Sequence, residues 1–158
     1  MKFDDVFDII ILQEGGYSYD PDDRGGETKY GISKRAFPYV DIKNLTFDMA
    51  KDIYFNHYWT PAKCEQIPES LRLIHFSCAV NCGVRSANII LQQSTNSKIA
   101  IDGIVGNQTL SHLKHSSPMS YSYYWLSRYV DIVGGVPNQI KFLNGWNNRI
   151  KDCIKKTL

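Results

Sequence analysis

Two carboxyl groups and a hydroxyl near the start of the chain have the types and spacing that glycoside cleavage requires. Eight residues separate Glu14 from Asp23, and four more separate Asp23 from Thr28. A glutamate that ends an apolar helix faces the negative end of the helix dipole and meets little water, and both effects raise its pKa. We therefore expect Glu14 to act as a general acid, while Asp23 stays ionised in a polar turn. Thr28 adds a hydroxyl that can hold the attacking water.

Taken alone, this pattern also fits a purely structural role. Most glutamates at helix ends are simply solvated, and the acidic, glycine-rich stretch from Asp20 to Gly26 has the composition of an ordinary turn. The residues by themselves therefore leave both interpretations open.

The elements predicted around these residues are a helix and a small β element. Asp4 or Asp5 can cap a first helix that Gly15 and Gly16 end, which makes Glu14 its last residue. The segment from Tyr17 to Ser33 is rich in Gly, Asp, Pro and Tyr, and it predicts a short hairpin or ordered loop around Asp20-Pro21 and Gly25-Gly26.

The rest of the chain has helical periodicity throughout. The predicted fold class is therefore α+β and mainly α, with one small β-hairpin. The further helices predicted are a short one from Ser33 to Pro38, one from Thr46 to about Tyr58, a buried one from about Leu71 to Cys82, one from Arg85 to Ser94 after Gly83, one near Gln108 to Lys114, and two aromatic-rich ones over Tyr121 to Val133 and Phe142 to Ile154.

Composition excludes several classes of protein. The chain has 158 residues, of which 43% are hydrophobic and 22% charged, so it is long and apolar enough to form a core and is neither disordered nor collagen-like. Its longest apolar run, Ile9 to Leu12, is far shorter than the ~20 residues of a membrane-spanning helix. The N-terminus is acidic where a secretory signal would be basic, so we expect no cleavable signal peptide.

Charge is distributed unevenly along the chain. Residues 1–88 hold ten Lys and Arg against thirteen Asp and Glu, a net charge of −3, whereas residues 89–158 hold eight against three, a net charge of +5. We therefore predict an acidic catalytic lobe over residues 1–88 and a basic lobe over residues 89–158 that favours an anionic partner.

The segment Glu14–Ser33, EGGYSYDPDDRGGETKYGIS, resembles the signature of glycoside hydrolase family 108. Proteins of that family are N-acetylmuramidases of phage lysis cassettes and bacterial secretion loci. The spacing of Glu14, Asp23 and Thr28 is also similar to the Glu/Asp/Thr triad of phage-type lysozymes. The resemblance implies a lysozyme-like, two-lobed fold.

Further segments extend the resemblance over nearly the whole chain. Residues 79–83, AVNCG, resemble the end of the central helix of that family, although Ser77 stands where the family usually has Asp. Residues 101–110, IDGIVGNQTL, and residues 142–149, FLNGWNNR, resemble the small peptidoglycan-binding region that follows the catalytic part. The resemblance thus implies that residues 89–158 form a helical peptidoglycan-binding lobe packed onto the catalytic one.

The activity implied is hydrolysis of the β-1,4 bond between N-acetylmuramic acid and N-acetylglucosamine. Glu14 would protonate the glycosidic oxygen, and Asp23 and Thr28 would position water or stabilise the oxocarbenium ion. The expected partner is the peptidoglycan glycan strand, without cofactor, metal, nucleic acid or stable membrane insertion. The residues expected to bind substrate are Asp20, which also braces its loop, Tyr30 and Asn81.

The resemblance also implies a place of action. The protein would be made in the cytoplasm, exported by a holin-type partner rather than a cleaved signal, and active on the wall in the periplasm, either in cell lysis or in secretion of another protein.

Other interpretations of single motifs fit less well. His75, Cys78 and Cys82 share one helix face, but three ligands on one straight helix suit a tetrahedral zinc site poorly. A calcium loop starting at Asp20 would need a glutamate where Gly31 stands. Two alternatives stay open: a peptidoglycan-binding module without turnover, and a wall peptidase that uses Cys82 as its nucleophile.

Overall fold

A computed structural model describes residues 1–11 and 26–157 of the chain. The chain forms two compact units, Lys2–His57 and Tyr58–Leu158, the second of which also includes Met1. Each unit has its own buried apolar residues. The predicted end of the first helix, with Glu14, and the acidic turn with Asp20 and Asp23 lie outside the described residues.

The described residues of the first unit form two helices and a hairpin. Its elements are α1 (Phe3–Ile11), β1 (Thr28–Lys29), β2 (Ile32–Ser33), α2 (Phe47–Tyr54) and the beginning of a π-helical turn over Phe55–Trp59. Val6, Phe7 and Ile10 form the buried face of α1. The ring of Phe7 lies 5.4 Å from that of Tyr54 on α2, edge to face. This aromatic contact packs the two helices together.

The start of α2 is set by its cap. Thr46 has extended backbone angles, and its hydroxyl accepts a hydrogen bond from the Met49 amide at 3.2 Å. This bond satisfies one of the amide groups that a helix N-terminus leaves unpaired. The prediction of a helix that begins at Thr46 is confirmed.

The prediction of a short helix from Ser33 to Pro38 is wrong, because these residues form turns. The Lys34 amide donates to the carbonyl of Glu27 at 2.8 Å, which continues the pairing of the hairpin. The Ser33 hydroxyl does accept a hydrogen bond from the Ala36 amide at 3.2 Å. This hydrogen bond therefore closes one turn and does not start a helix, because Pro38 disfavours helical geometry in the residue before it.

The second unit is helical in its described part. Its helices confirm those predicted for this region, with bounds that differ by at most three residues. They are α3 (Glu69–Cys82), α4 (Val84–Ser94), α5 (Asn107–His112), α6 (Pro118–Gly135) and α7 (Leu143–Thr157), with 3-10 turns at Cys64–Gln66, Leu113–His115 and Pro137–Phe142. Gly83 separates α3 from α4 with a φ of 83°, which glycine adopts without strain.

Helix α3 is the central element of this unit. It is buried on almost every side, as the sequence predicted, and it packs against α4, α6 and α7. The compact units divide between His57 and Tyr58, and residue 88 lies within α4. The assignment of catalysis to residues 1–88 and of wall binding to residues 89–158 concerns function and stays a prediction.

No helix within the described residues is both long and apolar enough to cross a membrane.

A buried hydrogen-bond chain crosses α3 at His75. Its Nε2 lies 3.0 Å from the Ala62 carbonyl, and its Nδ1 lies 3.0 Å from the Tyr121 hydroxyl. A carbonyl can only accept, so Nε2 carries the proton and Nδ1 accepts from Tyr121. The Ala87 carbonyl, 3.2 Å away, is a second acceptor for the same hydroxyl. Complete burial of the ring favours the neutral form of His75.

Stability should therefore depend on pH through His75. Burial lowers the pKa of His75 to about 4. The unfolded chain takes up this proton near pH 6.5, whereas the folded chain does so only near pH 4, so the free energy of unfolding should decrease as the pH falls through that window. At about 1.4 kcal/mol per pH unit, the decrease is about 3 kcal/mol. Urea denaturation at stepped pH should show a weaker pH dependence in His75→Gln than in the wild type; equal slopes would contradict the prediction.

The loop before α5 is tied to α4 by side-chain amides. The Gln92 Oε1 accepts from the Gly103 amide at 2.8 Å, and its Nε2 donates to Asp102 Oδ1 at 2.8 Å. Asn88 donates to the Gly103 carbonyl at 3.0 Å. Gly103 has a φ of 78°, and a Cβ at this position would lie 2.9 Å from Cγ of Arg85 and 3.2 Å from its carbonyl oxygen. Glycine is therefore required here by both conformation and space.

Two glycine substitutions should have opposite effects on stability. Gly103→Ala should lower the free energy of unfolding by about 2–4 kcal/mol, through positive φ and the clash with Arg85. Gly145→Ala, within α7, meets no atom within 4 Å and should raise it by about 0.5–1 kcal/mol. Chemical denaturation of both variants measures the difference, and equal effects would refute the account of Gly103.

Candidate functional site

The described part of the signature forms a tight β-hairpin. Thr28 pairs with Ser33 and Lys29 with Ile32, so Tyr30 and Gly31 are the two central residues of the turn. Both have positive φ, 52° and 73°, as a two-residue turn of the type I′ class requires. The prediction of a hairpin within residues 17–33 is confirmed, but its turn lies at Tyr30 and Gly31 and not at Gly25 and Gly26, as the sequence suggested.

Contacts with α2 and the following loop hold the turn in place. The Tyr54 hydroxyl donates to the Tyr30 carbonyl at 3.0 Å, and the Tyr30 ring lies 6.0 Å from that of Phe47, edge to face. Lys29 donates to the carbonyl of Lys43 at 3.2 Å, and its ammonium lies 5.6 Å from the centre of the Tyr30 ring. Ile32 is buried, which fixes the face that the hairpin turns to the core.

The hairpin brings together two of the predicted site residues, Thr28 and Tyr30. Both side chains are half-buried. The Tyr30 ring contacts Phe47 and the ammonium of Lys29. The rest of the ring is partly exposed and can contact a ligand. Glu14, Asp20 and Asp23 lie outside the described residues, so their roles stay predictions.

Asn81, the third predicted residue in the described part, lies in the second unit, in the last turn of α3. Its Oδ1 accepts a hydrogen bond from the Tyr129 hydroxyl of α6 at 2.6 Å. The Tyr129 ring is in turn stacked on Trp146 of α7 at 4.5 Å. Asn81 is exposed, and within residues 1–11 and 26–157 its amide nitrogen has no hydrogen-bond partner, so this group can donate to a ligand.

Tyr129 is a residue that sequence reasoning missed. It orients the Asn81 side chain, yet it is one of ten tyrosines in the chain, and its pairing with Asn81 spans 48 positions. Neither periodicity nor a local motif indicates that contact.

Cys82, considered above as a nucleophile, has a thiol in a polar environment. A hydrogen bond with Cys78, helped by Trp125 and Tyr129, lowers the pKa of Cys82. A peptidase would also need a histidine base within reach. His75 is buried and both its ring nitrogens are engaged. In the described part of the chain, no histidine hydrogen-bonds to Cys82, which leaves the peptidase alternative without support.

Other polar residues of α3 are structural. His75 is buried in its hydrogen-bond chain, and the described residues hold no group of three His, Cys, Asp or Glu side chains suited to a metal. Ser77, where an acid was the family expectation, is fully buried. Trp59, an aromatic residue within the chain's first half, is also buried and packs against Phe76 at 5.5 Å, so its ring is unavailable to a sugar.

Comparison with known protein families gives a match where the signature lies. The model of the family described as glycosyl hydrolase 108 matches residues 7–83, from α1 through the hairpin to the end of α3. This region is similar to the glycosyl hydrolase 108 family. The match supports a glycoside hydrolase that acts on peptidoglycan.

A solved structure is similar over almost the whole chain. The structure of Brucella abortus SagA has a TM-score of 0.81 and 23% sequence identity, and the similarity covers 98% of this chain and 92% of that one. At this identity the likeness concerns the fold. The predicted fold class, mainly helical with one small hairpin, is confirmed. Comparison with curated proteins found no match.

The bond between Tyr54 and the hairpin can be tested by itself. Tyr54→Phe removes the hydroxyl that donates to the Tyr30 carbonyl, so it should lower the free energy of unfolding by about 1 kcal/mol. Tyr39→Phe is the matched control, because the side chain of Tyr39 is fully exposed and the change should have no effect. Chemical denaturation measures both; equal stability of the two variants would contradict the role of Tyr54.

Proposed function

We propose that the protein is an N-acetylmuramidase that hydrolyses the β-1,4 bond between N-acetylmuramic acid and N-acetylglucosamine. The observation that carries the proposal is the glycosyl hydrolase 108 match, which contains the whole segment from Glu14 to Ser33. The hairpin of the first unit supports it, because it holds Thr28 and Tyr30 in one rigid turn.

Glu14 is the proposed general acid. It follows the apolar helix α1 in the sequence, and the end of such a helix disfavours an ionised carboxyl. A carboxyl that keeps its proton near neutral pH can give that proton to the leaving oxygen as the glycosidic bond breaks. Departure of the sugar then no longer requires an alkoxide.

Asp23 and Thr28 are proposed to act on the opposite side of the bond. An ionised Asp23 either accepts a proton from the attacking water or stabilises the oxocarbenium ion. Thr28 has one hydroxyl donor and two acceptor positions, so it can hold that water while the aspartate acts on it. The strand pairing with Ser33 keeps the Thr28 backbone fixed.

Substrate binding is assigned to Asp20, Tyr30 and Asn81. A half-buried Tyr30 ring offers an apolar face to a sugar and is already held at its carbonyl by Tyr54. The amide of Asn81 can donate to a sugar hydroxyl or acetamido oxygen, since Tyr129 holds its carbonyl end. Asp20 would brace its own loop and accept from a sugar hydroxyl.

The proposed place of action is the periplasm, where the wall lies. Export by a holin-type partner, and a role in cell lysis or in secretion, remain part of this proposal.

Replacing the general acid tests the mechanism. Glu14→Gln should reduce turnover of purified peptidoglycan at least about 1,000-fold, because the amide cannot donate the proton, while sedimentation with peptidoglycan should be retained. Glu65→Gln is the matched control: it removes an exposed carboxyl in the second unit, and its turnover should equal that of the wild type.

Product analysis decides the reaction type. Mass spectrometry of the fragments released by the wild type should show muramic acid at the reducing end. Anhydro-muramic acid would instead indicate a lytic transglycosylase, and free peptides a peptidase. Binding without any release would support a wall-binding module. Wild-type turnover by Glu14→Gln would refute the assignment of the acid.

A further inference from the structure

A groove of about 330 Å³ runs along the second unit between α4 and α6. It lies between two helix faces, since its lining residues recur at helical spacing on both helices. Its volume is within the range of small-ligand sites, about 300–1,000 Å³. None of the residues assigned above to catalysis or glycan binding lines it.

Two side chains of opposite charge line the groove. Arg128 and Asp131 both line it, one turn apart on α6. Neither side chain forms an ion pair or a hydrogen bond with any residue in the described ranges, and the Nε of Arg128 is buried without a partner. A buried guanidinium nitrogen left unpaired is costly, so a ligand oxygen at this position would be strongly favoured.

The remaining walls of the groove are apolar or aromatic. Ile89 and Ile90 of α4 and Ile132 of α6 supply apolar surface. Tyr124 supplies a ring whose hydroxyl is bound to Asn96 Oδ1 at 2.6 Å, so its orientation is fixed. These groups suit the aliphatic stem of a side chain that carries a charge at its end.

We propose that this groove binds the stem peptide of peptidoglycan, with Arg128 receiving a carboxylate and Asp131 the side-chain ammonium of a diamino acid. The ligand must carry both charges, because the groove offers one cation and one anion close together. A guanidinium recognises a carboxylate through paired hydrogen bonds. The aliphatic part between the two charges would lie along the isoleucines.

This inference rests on the proposed function for its choice of ligand, since a muramidase meets glycan strands that carry such peptides. A nucleic acid fits the groove less well, because it would bring phosphates next to Asp131 without a positive group to match it. Binding of the peptide would keep a glycan strand on the enzyme between cleavage events.

Titration calorimetry with three synthetic peptides tests the groove. The probe is the tetrapeptide L-alanyl-γ-D-glutamyl-meso-diaminopimelyl-D-alanine, and the two others are the same peptide with its diaminopimelyl side-chain amine acetylated or with its carboxylates amidated. The full-length wild type should bind the free peptide about tenfold more tightly than either capped form.

Two variants should each lose one of these preferences. Asp131→Asn should bind the free and the amine-acetylated peptide equally, and Arg128→Gln should bind the free and the amidated peptide equally. Asp152→Asn and Lys141→Gln remove the same charges from residues that do not line the groove, and they should keep both preferences. The wild-type measurements depend on no substitution, so a variant that fails to fold leaves the test intact.

The outcomes separate this inference from the proposed function. No binding of the free peptide, equal binding of the three peptides by the wild type, or preferences retained in both groove variants would overturn the inference. Cleavage by the wild type of glycan strands stripped of their peptides is measured in parallel. Failure of that cleavage alongside selective peptide binding would refute the muramidase assignment and leave the groove assignment standing.

Discussion

The hydrogen-bond chain through His75 is the constraint on which the second unit depends. Helix α3 is buried on nearly all sides, so its polar side chains need internal partners. His75 meets this need by linking the Ala62 carbonyl to Tyr121 of α6. These two contacts favour one rotation of α3 about its axis. That rotation places Asn81 on the exposed side of its last turn, within reach of Tyr129.

In the first unit, a strained turn at Tyr30 is held in place by contacts with α2. Tyr30 has a φ of 52°, which costs a non-glycine residue about 1 kcal/mol. The Tyr54 hydrogen bond to its carbonyl and the ring contact with Phe47 offset that cost. Glycine would relieve the strain but would remove the ring, so the position combines a conformational need with an aromatic surface at the signature.

Local signals made most of the fold predictable, and long-range contacts limited the rest. Thr46 and Gly83 marked helix ends correctly, because capping and positive φ are decided by neighbouring residues. Ser33 led to a wrong prediction of a helix, because its hydroxyl can accept the same hydrogen bond at the start of a turn or of a helix. The hydrogen bond from Lys34 to Glu27 extends the hairpin and so favours the turn. Tyr129 at Asn81, and the unpaired charges between α4 and α6, depend on helix packing that no spacing reveals. Thr28 and Tyr30 came from a long, specific motif.

The family match ends at Gly83, but the matched region packs against helices that lie beyond that residue. Helix α3 lies inside the matched region, and its buried side chains are covered by α4, α6 and α7, all of which follow that region. Without these helices α3 would expose apolar surface on several sides, and His75 would lose Tyr121. Helices α4, α6 and α7 are thus a structural requirement of the region that the family model matches. This dependence explains why the fold likeness extends over 98% of the chain, well beyond the family match.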